Sequence, residues 1–281
     1  MRIVSWNMGA AFGPYVRWHD RAWHWLAALD PDLALLQECV PPDWARERWT
    51  VADLPFQSWA SALLAKPELG LRPVTLEPAS VLDRFGSYLA TGEISTADDE
   101  SMLVASVHTR ASEAPDWLTA GHDRGAIARD SVGVPWSNDA AFAAYRDLLA
   151  IRGQGQPFLI GGDWNTARYV DADGVPTEDG AEFFARADGA GWRELTLDPA
   201  GREGRSWYGP GGPRPYQPDH VFGDRGTASR LRVAAIEAYP VETLGLSDHA
   251  PLVLELELDA PAHIGEEGSG AREGPLVDAH A

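Results

Sequence analysis

PFLIGGDWN (157–165) is the stretch that decides how this chain is read. Phe158, Leu159 and Ile160 form an apolar run of strand length, two glycines follow, and Asp163 and Asn165 close it with polar groups. A buried strand ending in Asp or Asn delivers that side chain to the carboxyl edge of its sheet, where α/β proteins place ligands. Gly161 and Gly162 imply that a ligand or another stretch of backbone comes close at this point.

The same arrangement recurs in both directions along the chain. RIVSW (2–6) runs into Asn7, LALLQ (33–37) into Glu38, and LVASV (103–107) into His108. Two polar clusters precede their apolar runs instead: Asp219-His220 stands before Val221-Phe222, and Ser247-Asp248-His249 before PLVLELEL (251–258). If those two strands run antiparallel to the other four, all six clusters converge on one pocket. Asn, Asp and Ser are also ordinary turn residues, so each cluster alone is weak. Glu38 behind a fully apolar run is harder to read as a turn, and six clusters in this order make a strong set.

SALLA (61–65) and YLATGEI (88–94) supply further strands, and Leu252, Leu254, Leu256 and Leu258 alternate with Glu255 and Glu257 as a half-buried strand does. Helical spacing appears at Trp18, Ala22, Trp25 or Leu26, and Leu29, stopped by Asp30-Pro31, and again over 139–151 and 179–190. Strands and helices mix without strict alternation, so the expectation is an α/β protein with mixed sheets. Residues 1–258 read as a single domain; residues 259–281 lose apolar periodicity and read as a disordered acidic tail.

Composition narrows the function. With 281 residues, 44% of them hydrophobic, the chain can bury a real core. No run reaches the roughly 18–20 apolar residues of a membrane span, and the apolar run in MRIVSWNMGA is too short for a signal-peptide core. The single cysteine, Cys39, excludes an internal disulfide and makes a reducing cytoplasm the default. Twenty-three basic against 42 acidic residues give a net charge of −19, and Lys66 is the only lysine. Tight sequence-independent binding to duplex DNA rests on Lys and Arg neutralising phosphates, so a long polyanion is disfavoured unless arginines concentrate locally.

WN at 6–7, LLQE at 35–38, SVH at 106–108, GGDWN at 161–165, PDHVF at 218–222 and LSDHAPLV at 246–253 together resemble the endonuclease/exonuclease/phosphatase superfamily. GDxN and SDHxP are the most specific pieces, and the likeness spans Asn7 to Leu258. It implies a deoxyribonuclease I-like four-layer α/β/β/α sandwich with two packed mixed sheets, a divalent metal (normally Mg²⁺, with Mn²⁺ as a substitute), and hydrolysis of a phosphoester. By the same likeness Glu38 is the principal metal ligand, and Asn7 and Asp248 complete the metal shell. Asp163 orients or deprotonates the attacking water, Asn165 positions phosphate or nucleophile, His108 and His249 flank the scissile phosphate, and Asp219 supports the histidines. Ala62 to Lys66 matches the family's pattern only loosely. Trp164 replaces a smaller residue or Phe, and 110–138 and 168–179 carry no subfamily signature. These departures leave the metal chemistry intact and the substrate class open.

The residue types suit that chemistry. Phosphoesters resist hydrolysis because their oxygens repel a nucleophile and the alkoxide leaves poorly; positive charge and an aligned water answer both difficulties. Carboxylate and amide oxygens are hard ligands suited to Mg²⁺ or Mn²⁺, and less to zinc. A His beside a carboxylate keeps its proton near neutral pH. Neighbouring strand residues face opposite ways, so a pairing of Asp163 or Asp219 with one histidine is expected rather than Asp248 with His249. His19 and His24 read as packing or surface residues, His220 as packing behind the site, and Cys39 as a small hydrophobe. His122, in the long loop after the fifth strand, is not taken as a site residue, and His263 and His280 sit in the tail. Trp164 and Trp207 are the two tryptophans placed where a base could stack.

The expected function is hydrolysis of a phosphodiester or phosphomonoester, with a small or single-site substrate favoured over nucleic acid and no obligate protein partner. The alternative is a nuclease acting on DNA or RNA, kept open by Arg110, Arg124, Arg129, Arg168, Arg202, Arg205 and Arg214. A non-catalytic scaffold is disfavoured because every expected polar position is filled. Lipid-headgroup hydrolysis has only Asp116-Trp117-Leu118 as an apolar loop.

Overall fold

The computed structural model describes residues 1–10, 13–53, 60–74, 89–95, 100–109, 137–153, 155–168, 178–209 and 216–257. The tail, the end of the domain at 258, His122, the 116–118 loop, and Arg110, Arg124, Arg129 and Arg214 lie outside them. In chain order the strands are β1 (Arg2–Asn7), β2 (Leu33–Cys39), β3 (Thr50–Asp53), β4 (Ala60–Ala65), β5 (Arg72–Pro73), β6 (Leu89–Ser95), β7 (Ser101–His108), β8 (Phe158–Asp163), β9 (Arg193–Glu194), β10 (Asp219–Gly223), β11 (Leu231–Ile236) and β12 (Leu252–Leu256). The helices are α1 (His19–Leu29), α2 (Asp43–Arg48), α3 (Ser137–Arg152), α4 (Glu178–Gly189), α5 (Arg225–Ser229) and α6 (Tyr239–Glu242), with a 3₁₀ turn at Gly13–Trp18 before α1.

The strands form two six-stranded sheets, ordered β11-β12-β1-β2-β4-β3 and β5-β6-β7-β8-β10-β9. β1 and β2 are parallel, as are β7 and β8, while β12 lies antiparallel to β1 and β10 antiparallel to β8. The starts of β10 and β12 therefore share an edge with the ends of β1, β2, β7 and β8, as convergence of the six clusters requires.

Alternation along the strands builds the layers. Ile3, Leu33, Leu35, Leu63, Val104, Leu159, Val221 and Leu254 face the opposite sheet and form the central core. The intervening Val4, Trp6, Ala34, Leu36 and Leu64 face outward onto Trp23 and Leu26 of α1 and Ala45 of α2. In the second sheet Leu103, Ala105, Ile160 and Phe222 face outward onto Phe142 and Tyr145 of α3 and Phe183 and Phe184 of α4. Strands buried on both faces need apolar residues at successive positions, which explains the unbroken runs in the sequence. Each large side chain buried this way contributes about 1.5–3 kcal/mol. The result is the expected α/β/β/α sandwich.

β11 escaped the sequence reading because it is an edge strand with no fully buried residue, and its apolar run is only Val233 to Ile236, half of it alanine. β3, β5, β9, α2, α5 and α6 are too short to show a period.

Candidate active site

At one edge the positions facing between the sheets turn polar. Along β1 they read Ile3, Ser5, Asn7; along β2 Leu33, Leu35, Gln37; along β7 Val104, Ser106, His108; along β8 Leu159, Gly161, Asp163; and Asp219 precedes Val221 on β10. Asn7, Gln37, Asp163 and Asp219 are all no more than 2% exposed. Gln37 donates to Ser106 Oγ (2.9 Å), which donates to the Leu36 carbonyl (2.7 Å), so a polar bridge ties the two sheets just beneath the cleft.

The paired glycines let the sheets close. A Cβ on Gly161 would stand 2.7 Å from Val221 and 3.0 Å from Leu35 of the other sheet, and one on Gly162, at φ +145°, would meet the Val107 carbonyl. They answer neighbouring protein, not a ligand.

Glu38 reaches the cleft by a departure from strand geometry. By alternation it would face outward, but the β2–β4 register shifts between Leu36 and Cys39, and Glu38 takes a left-handed backbone at φ 46°. A non-glycine residue there costs about 1–3 kcal/mol, supplied by the surrounding structure, and such residues cluster at functional sites. Glu38 Oε1 lies 3.4 Å from Asn7 Nδ2 and 3.5 Å from His108 Nε2. Asn7 Nδ2 also donates to Asp163 Oδ2 (3.1 Å), while its Oδ1 accepts from the Gly9 amide (3.0 Å). His108 Nε2 stands 3.8 Å from Asp163 Oδ2. Four elements thus bring Asn7, Glu38, His108 and Asp163 together.

Asn165 also takes the left-handed conformation, at φ 48°, in the turn after β8. Its amide N–H donates to Asp163 Oδ1 (2.9 Å) and its side chain to the Thr109 carbonyl (2.7 Å), which fixes this turn against the end of β7.

The Asp–His pairing left open by the sequence is between Asp219 and His249. His249 Nδ1 lies 2.9 Å from Asp219 Oδ2, which also accepts from Ser206 Oγ at 2.5 Å, and His249 Nε2 faces Asp163 Oδ2 at 3.8 Å. The segment carrying His249 is pinned to the end of β1. Ser247 Oγ donates to the Asn7 carbonyl (2.7 Å) and accepts from the His249 amide (3.0 Å), and Trp6 Nε1 donates to the His249 carbonyl (2.8 Å). Asp248 is half-buried on the same segment; among the described residues nothing hydrogen-bonds its carboxylate, whose charge acts on His249 and on Tyr15.

Burial pushes the Asp163 carboxyl up to about 7, and Asp219 adds to that, against the pull of His249 and of hydrogen bonds from Asn165 and Asn7. Burial alone would lower His249, but Asp219, Asp163 and Asp248 outweigh it and raise the imidazole to about 10. His249 is therefore a cation at neutral pH, able to donate from Nε2. Both groups hold their proton more tightly folded than unfolded. The stability each lends is complete below its unfolded pKa and is lost as the pH climbs through the folded one. For Asp163 that window runs from 3.8 to about 7, and for His249 from 6.5 to about 10. Calorimetry of the metal-free protein should show Tm falling by about 10 °C between about pH 5 and 9. In Asp219→Asn the part above about pH 7 should shrink. A Tm that rises over this range contradicts the assignment.

Oxygen donors gathered in one buried place suit a hard cation. Asp163, Asp219 and His249 offer ligand atoms within 4.8 Å of one another, and Asp163 is joined to Glu38 through Asn7 and His108. Burial together with Asp219's charge holds Asp163 towards its protonated form, a cost that a divalent ion would relieve. Glu194, Glu203 and His220 form a second such group, already served by Arg168, whose guanidinium pairs with Glu194 at 2.7 Å.

Other expectations can be placed. His220 is fully buried behind the site, as expected. His19 is a packing residue whose Nε2 accepts from the Val40 amide (3.1 Å) and Trp23 Nε1 (2.9 Å), and burial lowers its pKa. Cys39 is buried. Trp164 is not a stacking platform: it is 0% exposed among Phe183, Trp192 and Phe222, because the residue between Asp163 and Asn165 faces the outer helices. The backbone of Trp207 pairs with that of His249, and its ring stands edge-on to Tyr216. Ser206 and Thr109 were not anticipated; a buried serine or threonine gives no sequence signal until its partner is known.

A family model described as Endonuclease/Exonuclease/phosphatase family matches residues 4–249. Among curated proteins no sequence matches. Among solved structures the chain is similar to a 3′-5′ exonuclease (NExo) from Neisseria meningitidis, with TM-score 0.65, 16% identity, and coverage of 92% of this chain and 100% of that one. It is also similar to an AP endonuclease from Archaeoglobus fulgidus, with TM-score 0.63, 14% identity, and coverage of 92% and 99%. A third likeness is to truncated TDP2 from Caenorhabditis elegans, with TM-score 0.56, 14% identity, and coverage of 90% and 96%.

Proposed function

The chain belongs to the endonuclease/exonuclease/phosphatase family and is a phosphoric ester hydrolase, and we propose that it uses Mg²⁺, or Mn²⁺ in its place, to hydrolyse a phosphodiester or phosphomonoester at the cleft described above. The observation that carries this reading is the convergence of Asn7, Glu38, His108 and Asp163 with the Asp219–His249 pair at one buried sheet edge. Glu38 would hold the cation, with Asp248 and Asn7 completing its shell, the Asn7 amide turning its Oδ1 instead of its Nδ2 towards Glu38. When bound, the cation supplies positive charge against the phosphate oxygens. Asp163 orients the attacking water and takes its proton, a role served by a carboxyl poised near neutral pH. Asn165 holds phosphate or nucleophile in line. His249, kept charged by Asp219, and His108 donate to the phosphoryl oxygens as negative charge grows.

A small or single-site substrate is the first reading. The chain is strongly acidic, and most described basic side chains are neutralised by a carboxylate, as Arg168 is by Glu194 and Arg202 by Asp198. A nucleic acid is the second, favoured by one observation. Among the described residues Arg17, Arg21, Arg205 and Arg225 have no carboxylate within ion-pair reach. Arg17 and Arg21 lie over the exposed Trp18, and Arg205 over Tyr208, whose amide donates to the Asp248 carbonyl. The buried single cysteine fits a reducing compartment such as the cytoplasm, and no described helix is long and apolar enough to cross a membrane.

A metal-supplemented screen from model diesters through nucleotides and sugar phosphates to oligonucleotides tests this. Hydrolysis should require the divalent ion and vanish with chelator; activity indifferent to chelator ends the proposal. Under the first reading, Arg17→Glu with Arg21→Glu leaves the substrate's KM unchanged. Under the second, it raises KM for an oligonucleotide about tenfold, lowers the salt dependence, and spares a model diester.

A further inference from the structure

We propose that His220 is a positioning residue: its Nε2–H clamps the turn that carries Asp163 and Asn165, through the Thr166 carbonyl. The proposal rests on the phosphoesterase reading of that turn. Alternation on β10 sends Asp219 into the cleft and His220 to the opposite face, where it is fully buried beside Phe184. His220 Nε2 lies 2.9 Å from the Thr166 carbonyl and Nδ1 2.7 Å from Glu194 Oε1. Both neighbours are acceptors, so the ring satisfies both only with hydrogen on each nitrogen. The ring is held in turn, since Glu194 also takes the Arg168 guanidinium (2.7 Å).

Arg168 then returns the hold to the same turn. Its amide donates to Glu203 Oε1 at 2.7 Å, and its guanidinium lies over the Phe184 ring at 4.0 Å. The segment 163–168 is thus fixed from the front by Asn165 against Thr109, and from behind by His220 at residue 166 and Glu203 at residue 168. One strand, β10, therefore supplies both the carboxylate that holds His249 and the imidazole that holds the opposite catalytic turn. Any displacement of this turn carries Asp163 and Asn165 with it, and a misplacement of about 1 Å can cost about a hundredfold in rate.

The test compares His220→Asn with His220→Gln, because the glutamine amide nitrogen reaches the place of Nε2 whereas the asparagine nitrogen reaches only that of Nδ1. Both substitutions remove the imidazole and lose similar packing, so a purely structural role predicts equal effects. The clamp predicts that hydrogen exchange of the 163–168 segment, read by mass spectrometry, speeds up about tenfold in His220→Asn and stays near wild type in His220→Gln. With Mg²⁺ and a model diester, kcat should fall about tenfold or more in His220→Asn with KM unchanged, and within about threefold in His220→Gln. Equal exchange and equal kcat losses in the two variants, or unaltered exchange in His220→Asn, overturn the proposal. If the wild-type protein hydrolyses no phosphoester, the exchange comparison still decides the clamp, and the functional reading fails separately.

Discussion

Asp163→Asn should lower phosphoester turnover by about a thousandfold, within the range that a positioned general base supplies, while leaving the protein folded. Asparagine has the shape of aspartate and keeps an oxygen for the Asn165 amide, so the turn after β8 retains its main tie. The variant loses the acceptor for Asn7 Nδ2, but it also removes a buried carboxylate disfavoured by burial and by Asp219. Those effects oppose each other, and Tm should move by no more than about 4 °C. What disappears is the group that can take a proton from water. Steady-state kinetics with saturating Mg²⁺ should therefore show a fall in kcat that extra metal does not repair. Turnover within tenfold of wild type would remove Asp163 from the reaction.

Glu38→Gln should also cost about a thousandfold at ordinary Mg²⁺, by a different route. Its carboxylate stands against Asn7 and His108 on a left-handed residue beside a strand irregularity, and Gln keeps the size and one oxygen while discarding the charge. The loss falls on cation affinity, so raising Mg²⁺ should recover part of the activity, and a metal titration should show a midpoint shifted upward. This separates the two variants: metal rescues Glu38→Gln and not Asp163→Asn. A Glu38→Gln protein with unchanged metal dependence would show that the cation is held elsewhere, the Asp163, Asp219 and His249 group being the alternative the geometry offers.

Much of this architecture was legible in the residues. Runs such as LALLQ and FLIGG are apolar at successive positions because their strands are covered on both faces, and a strand's length and burial are local properties. The polar residues that end those runs, Asn7, Glu38, His108 and Asp163, stand out for the same reason: a charge following a buried strand has nowhere to go but the sheet edge.

Strand direction, and everything that depends on it, was not local. Only the antiparallel registers of β10 on β8 and of β12 on β1 set Asp219 opposite Asp163 and carry His249 to the end of β1. The left-handed turn at Glu38, the choice of Asp219 as the partner of His249, the burial of Trp164 and the second role of β10 through His220 each require two distant segments to meet. Which side chains end buried strands is written in the residues, because apolar burial follows a short period that any window of the chain displays. The tertiary structure alone decided which of those side chains touch, because contact between residues as far apart as Asn7 and Asp163 depends on how the two sheets stack, a property that no single segment carries.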